Sequence, residues 1–308
     1  MRKLWSHIKT LGEILKESLI SWWNRDPWRN STVIAYYTIF SLPGLGIIII
    51  NVVGYFYGEE AITDEISGQL EESIGSGAAE SVEQIISNAY QTGNLTLASL
   101  VSLGTLLFGA TGVFYQVQQA LNYIWEVEPR PDQMLLKFLK DRLFSLGMVL
   151  MIGFLLLVSL ILTSLLSALG GWLSNYAGVL VTIVQYLNPV VSLAVITLLF
   201  AAIFKFLPDV KIGWRDVFPG ALVTALLFVV AELGLGYYFD VGDPGSIYGA
   251  AGSIILILLW ATYAGLILLF GAEFTRVYAH KHGREVEPSE VAVSTTGDDE
   301  KRMDRESQ

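Results

Sequence analysis

Six long apolar stretches separated by polar segments dominate the hydrophobic pattern of this chain. They run from about Thr32 to Tyr57, Leu95 to Ile124, Leu143 to Leu169, Val179 to Leu207, Val217 to Phe239 and Ile247 to Val277. A helix needs about 20 apolar residues to cross the hydrocarbon core of a bilayer, whereas a buried soluble helix shows about 10 to 14. None of the six alternates with the period of two that a barrel strand requires. The pattern predicts an all-α polytopic membrane protein with six transmembrane helices. The third and fourth are the least cleanly separated, by Gly170-Gly171-Trp172 and Ser174-Asn175-Tyr176.

Ahead of the first span, Leu4, Ile8, Leu11, Leu15, Leu19 and Trp22 recur every three or four residues, with Lys9, Glu13, Lys16 and Glu17 elsewhere on the wheel. This spacing predicts a cytoplasmic amphipathic helix within residues 1–31. It would either lie in the membrane interface, anchored by Trp5, Trp22 and Trp23, or pack beneath the bundle. The scattered charges of the opening residues do not form a cleavable signal. The transmembrane domain covers 32–277 and carries an acidic extracytoplasmic insertion at 58–94. Within it, Ile62, Ile66, Leu70 and Ile74, then Val82, Ile85, Ile86 and Tyr90, predict two short helices split at Gly75-Ser76-Gly77 and packed over the outer mouth. The tail, 278–308, is polar and predicts a largely disordered segment.

Composition agrees with the pattern: 53% of residues are hydrophobic and 16% charged, against about 25% charged in soluble proteins. The charges then orient the chain. All 19 Lys and Arg fall before the first span, between the second and third, between the fourth and fifth, or after the sixth. By the positive-inside rule both termini are cytoplasmic. The outer segments hold ten acids and no bases, so they account for the whole net charge of −10. Solvation of an exposed segment explains these acids; collecting cations is the alternative.

Little in the chain suggests catalysis. There are no cysteines, which excludes disulfides and thiolate metal sites, and the three histidines, His7, His280 and His282, lie near the ends. No HExxH, GxxxxGK[ST] or GxSxG pattern occurs. The expectation is no catalytic residue, no cofactor and no metal. The basic residues are explained by topology, so no nucleic-acid partner is expected either.

The remaining chemistry lies inside the predicted spans, where polar groups are costly and usually functional. Glu232, in LLFVVAELGLGYY, sits mid-helix and calls for a partner or a proton, either for coupling or as a structural acid. Glu273, three residues before Arg276, reads as one half of a local ion pair. At the end of the second span, Gln116, Gln119 and Tyr123 share one stripe and Tyr115, Gln118 and Asn122 the next. They fit a wet vestibule or helix-to-helix hydrogen bonds. Pro43 and Pro189 suggest breaks in the first and fourth helices, at corresponding positions of a three-plus-three inverted repeat. The candidate substrate-facing set is Pro43, Asn51, Gln116, Gln119, Asn122, Pro189, Glu232, Tyr248 and Glu273. Small residues at Gly104, Gly109 and Gly112, and at 249–252, predict close helix packing.

Three runs carry a family resemblance: IAYYTIFSLPGL, LLFGATGVFYQVQQALNYIWEVEPRP, and FKFLPDVKIGWRDVFPGA continuing into IYGAAGSIILILLWATYAGLILLFGAEF. Over residues 15–282 the chain resembles the YihY/virulence factor BrkB family, formerly called ribonuclease BN. The resemblance implies a six-helix protein of the bacterial inner membrane and favours lipid or amphiphile transport. It places the family's recurrent positions on Pro43, Pro208, Asp209, Trp214, Gly220, Tyr248, Gly249, Trp260, Gly271 and Glu273. The expected function is a secondary transporter or flippase for a lipid or other amphiphile. The alternative is a non-transporting scaffold or assembly factor in envelope biogenesis. Expected partners are membrane lipids and the transported substrate, with self-association into a homo-oligomer left open.

Overall fold

The computed structural model describes residues 2–57, 97–130, 178–242, 252–284 and 286–295, with shorter helical pieces between 142 and 155. The acidic insertion, most of the third apolar stretch, Tyr248 and the chain after residue 295 lie outside the described residues.

The first helix, α1 (Arg2–Asn24), stops just before Asp26-Pro27. A proline disfavours helical backbone in the residue before it, and Asp26 takes a positive φ of 50°. Pro27 then opens α2 (Pro27–Tyr57), in a first turn where its missing N–H costs nothing. This helix begins at Pro27 rather than Thr32. There follow α3 (Leu97–Ile124), α4 (Gly178–Phe206), α5 (Trp214–Gly242) and α6 (Gly252–Lys281). The breaks expected at Pro43 and Pro189 are absent: α2 runs through the first and α4 through the second. Membrane helices tolerate proline because neighbouring groups can satisfy the freed carbonyl.

Small residues set the packing. In α3, a Cβ on Gly109 would lie 2.7 Å from the Phe40 carbonyl oxygen, and one on Gly112 would lie 3.1 Å from the Tyr37 ring. These contacts make α2 and α3 antiparallel. Ser31 of α2 seats on Gly265 of α6, and Arg25, just ahead of α2, meets Glu273, so these two helices are antiparallel as well. The closest approach joins α5 to α6 through matched sequences, Gly220-Ala-Leu-Val-Thr224 and Gly271-Ala-Glu-Phe-Thr275. A Cβ on Gly220 would lie 1.9 Å from Thr275 Oγ1, and one on Gly271 1.8 Å from Thr224 Oγ1. Each threonine donates to the carbonyl of its own helix's glycine at 2.7 Å, which folds its hydroxyl back and frees the interface of unsatisfied groups.

Among the described residues, three stretches are long and apolar enough to cross a membrane: Pro189–Phe206, Trp214–Tyr238 and Ile254–Lys281. On α5, Leu222, Leu226, Val230, Leu233 and Tyr237 form an exposed ridge. In water such a ridge would drive aggregation; against acyl chains it costs nothing. For α1, Ile14 and Ser18 are buried, with Ile14 packed on Phe274 and Val277 of α6, while Leu11, Leu15, Leu19 and Trp23 remain exposed. One face is therefore packed on the bundle, and the other has the side chains of a helix against lipid.

Within the tail, residues 286–295 are ordered, where disorder was expected. Strand β4 (Ala292–Ser294) pairs antiparallel with β1 (Val127–Pro129), and β3 (Glu287–Pro288) pairs with β2 (Val210–Lys211). Ala292 is buried and Val286 packs on the same core, so a few apolar residues suffice once partner strands are supplied by distant connections. Residues 286–295 strap the end of α3 to the α4–α5 connection.

Candidate functional site

The strap end of the bundle holds an ion-pair network. Arg25 leaves the α1–α2 bend beside Glu273 of α6, its Nε 2.7 Å from Oε1 but out of line for a hydrogen bond, so charge attraction holds that contact. Arg276 Nε donates to Glu273 Oε2 at 3.0 Å, which is the i to i+3 pair the sequence predicts. Glu126, after α3, takes Arg25 Nη2 at 2.5 Å and lies 3.6 Å from Arg276 Nη1. Arg276 also donates to Ser21 Oγ, and Arg25 to the Tyr123 carbonyl. The Glu273 side chain is fully buried, so its charge depends on both arginines. Two acids and two bases thus lock α1, α2, α3 and α6 together.

A second feature opens to the side, where α2 and α5 diverge on either flank of α6. Ile255, Leu258, Leu259, Thr262 and Tyr263 of α6 line a groove of about 460 Å³, walled by Trp28 and by Leu235 and Tyr238. The Thr262 hydroxyl donates to the Leu258 carbonyl at 2.7 Å, so it is satisfied within α6, and the groove lining is mostly apolar. Trp28 and Tyr263 meet edge to face with ring centroids 6.2 Å apart, closing one end. Leu235 is shared with a crevice of about 10 Å³ that Glu232 lines with Phe228, Ala231, Trp260, Ala264 and Ile267. That is room for a single water.

A third feature runs along α3. Thr111, Tyr115, Gln118 and Asn122 recur at spacings of four, three and four and so share one face. At its lower end Asn122 makes two bonds with Asp209: Nδ2 donates to Oδ2 at 2.7 Å, and Oδ1 accepts from the Asp209 N–H at 2.8 Å. Ser289 of the strap donates its N–H to the Asp209 carbonyl. At the upper end Arg142 Nη1 donates to Thr111 Oγ1 at 2.9 Å, and its guanidinium lies 5.1 Å from the Tyr115 ring centre. Arg142 therefore reaches into the bundle from the connection to which charge patterning assigned it. Asn122→Ala strips both bonds from Asp209 and is expected to cost about 1–3 kcal/mol. Thermal unfolding in detergent measures this; an unchanged midpoint would mean the latch contributes nothing.

Among the described residues, the candidates do not converge on one site. Glu273 lies in the ion-pair network, Glu232 in the crevice and Asn122 in the α3 seam. Gln116 and Gln119 are half-buried on the adjacent stripe, and Pro189 is exposed on α4. Pro43 and Asn51 belong to α2, but their side chains, like Tyr248, lie outside the described residues. Sequence reasoning missed Arg25 as a partner of Glu273, Glu126 as the second acid shared by both arginines, and Trp28 and Tyr263 as groove walls. Only the polar spacing along α3 held a usable signal, and it pointed to Gln118 as well as Asn122.

Long apolar helices, an outward apolar ridge and a charged network at one end define a helical membrane protein. No solved structure matches the chain. The model of the virulence factor BrkB family matches residues 21–295, and the chain belongs to that family. It is 34% identical over 199 residues to a UPF0761 membrane protein of Tolumonas auensis, covering 62% of this chain and 59% of that protein. A putative ribonuclease-like protein, YfkH of Bacillus subtilis, is 24% identical over 282 residues, covering 90% of this chain and 98% of that one. A UPF0761 membrane protein of Rhodospirillum centenum is 26% identical over 89% of this chain, which spans 59% of that relative's length.

Proposed function

We propose that this protein moves a lipid or other amphiphile across the bacterial inner membrane, as a non-enzymatic transporter or flippase with six spans and both termini in the cytoplasm. The observation that carries the reading is the lateral groove between α2, α5 and α6, with Glu232 in the crevice beside it. A mostly apolar, aromatic-ended groove suits an acyl chain entering from the bilayer. The antiparallel contacts of α2 with α3 and α6, and of α5 with α6, suit alternating spans. A hydrolytic reading, suggested by the name of the Bacillus relative, finds less support. Arg25, Arg276, Lys281 and Arg284 form ion pairs with Glu126, Glu273, Glu17 and Asp216, rather than a basic surface for RNA.

The test is a fluorescent-lipid translocation assay in proteoliposomes. Wild type is expected to accelerate movement, Leu259→Trp to block it by filling the groove, and Glu232→Gln to slow it and flatten its dependence on a pH gradient. Wild-type vesicles no faster than empty ones would end the transport reading. The tightness of the Glu232 crevice favours the scaffold alternative, under which Glu232→Gln alters stability alone.

A further inference from the structure

We propose that the outward face of α1 is a docking surface for acidic phospholipid, in the leaflet at the strap end of the bundle. The surface belongs to α1 alone, whereas the lateral groove is built from α2, α5 and α6.

Charge is sorted around α1. Leu11, Leu15, Leu19 and Trp23 are all exposed, and Ile14 and Ser18 are buried. A step of four residues turns a helix by about 40°, so the exposed four form one slowly turning row beside the packed face. Lys16 and Lys9, both exposed, come next around the helix after Trp23. Glu13 and Glu17 lie beyond them and complete the circle at α6. There, Lys281 Nζ is 3.0 Å from Glu17 Oε2 and 3.9 Å from Glu13 Oε2. The acids of α1 are thus turned toward the bundle and shared with a base. Its apolar row is edged by two cations that form no ion pair among the described residues.

Depth agrees with this sorting. Trp22 Nε1 donates to the Leu266 carbonyl at 3.2 Å, and the Trp22 ring meets Phe270 edge to face. Glu17 instead reaches Lys281, the last residue of the long apolar stretch Ile254–Lys281. α1 therefore runs beside the final turns of α6, with its tryptophan end deeper and Lys16 near the polar boundary. A lysine at that level extends its ammonium to the lipid phosphates while the leucines stay among acyl chains.

The same sorting selects the occupant. A second copy using this face would bring the same two lysines, with its Glu13 and Glu17 turned away toward its own α6. An acidic head group supplies the missing negative charge, and its acyl chains cover the apolar row. Each lysine near an anionic surface favours binding by about fivefold.

The chain contains no cysteine, so Leu19→Cys in the full-length protein places a single fluorophore on the row. The labelled protein is reconstituted in vesicles of equal parts phosphatidylglycerol and phosphatidylcholine. Quenching is read with brominated acyl chains on one lipid or on the other, and iodide reads exposure to water. Brominated chains are expected to quench the label and iodide to leave it bright. Phosphatidylglycerol should be favoured over phosphatidylcholine by at least about fivefold. The Lys9→Gln, Lys16→Gln double variant should bring that preference near parity while total quenching by lipid persists. The Lys9→Arg, Lys16→Arg double variant should keep the preference.

Equal quenching by the two lipids with both lysines present overturns the proposal, as does a preference that survives Lys9→Gln with Lys16→Gln. A label that iodide quenches puts the row in water. A label that neither iodide nor lipid reaches puts it under another chain, such as a second copy. Both results also overturn the proposal. If the Leu19→Cys protein does not reconstitute, Leu15→Cys carries the label and the same outcomes decide. The measurement is made at equilibrium, so a protein that moves no lipid loses the transport reading and keeps this surface.

Discussion

Glu273→Gln is expected to lower the unfolding free energy by about 3–5 kcal/mol, the cost of removing one partner from a buried charge network. The carboxylate is fully buried and touches two arginines whose side chains are only 18% and 17% exposed. Glutamine keeps the shape but leaves Arg25 and Arg276 facing each other, with Glu126 as their remaining acid. Glu126→Gln should cost far less, about 0–1 kcal/mol, because that side chain is 43% exposed and water replaces it. Thermal unfolding of both variants in the same detergent checks the contrast. Equal midpoints for the two would show that burial of Glu273 does not set the strength of the network.

The second large effect is expected at Gly271. An alanine there would put its Cβ 1.8 Å from Thr224 Oγ1 and 3.0 Å from Phe204 Cζ, so α5 and α6 must separate. Overpacking of this kind costs about 1–3 kcal/mol or more, and separation also disturbs the groove that these helices border. Thr224→Gly removes the clashing side chain but adds its own helix penalty of about 1 kcal/mol. The double variant should nevertheless be less destabilised than the sum of the two singles, as contacting residues couple. Strict additivity in that cycle would place the tight α5–α6 contact in doubt. Gly220→Ala tests the mirror half, where the obstructing atom is Thr275 Oγ1 at 1.9 Å.

These two sites show how unevenly the structure was legible beforehand. The Glu273–Arg276 pair could be read because both residues sit on one helix, three apart, where geometry is local. Arg25 could not: it lies 248 positions away in sequence and meets Glu273 only because Asp26-Pro27 turns the chain beside α6. The glycines marked packing surfaces, and Gly109 and Gly112 do pack closely on α2. Which helix each glycine receives was not readable. The matched Gly-x-x-x-Thr sequences of α5 and α6 stand in plain view, yet they acquire meaning only when the two helices face each other. Pro43 and Pro189 misled because a proline reports a lost hydrogen bond but not whether the helix continues through it.

The tail is the sharpest case. Residues 286–295 are polar enough to read as unfolded, and alone they would bury too little apolar surface to order themselves. Their order depends on strand partners at 127–129 and 210–211, which no local window contains.

The chain by itself determined its solvent, its long apolar helices and its family, because transfer of side chains between water and hydrocarbon is nearly additive along the sequence. It also determined the polar spacing on α3. Tertiary structure alone decided which polar residues meet: Arg25 with Glu273, Asn122 with Asp209, Arg142 with Thr111. The reason is geometric. Charge-assisted and hydrogen-bonded contacts act over about 3 Å, so they depend on how distant helices are turned toward one another, which hydrophobic periodicity constrains only loosely.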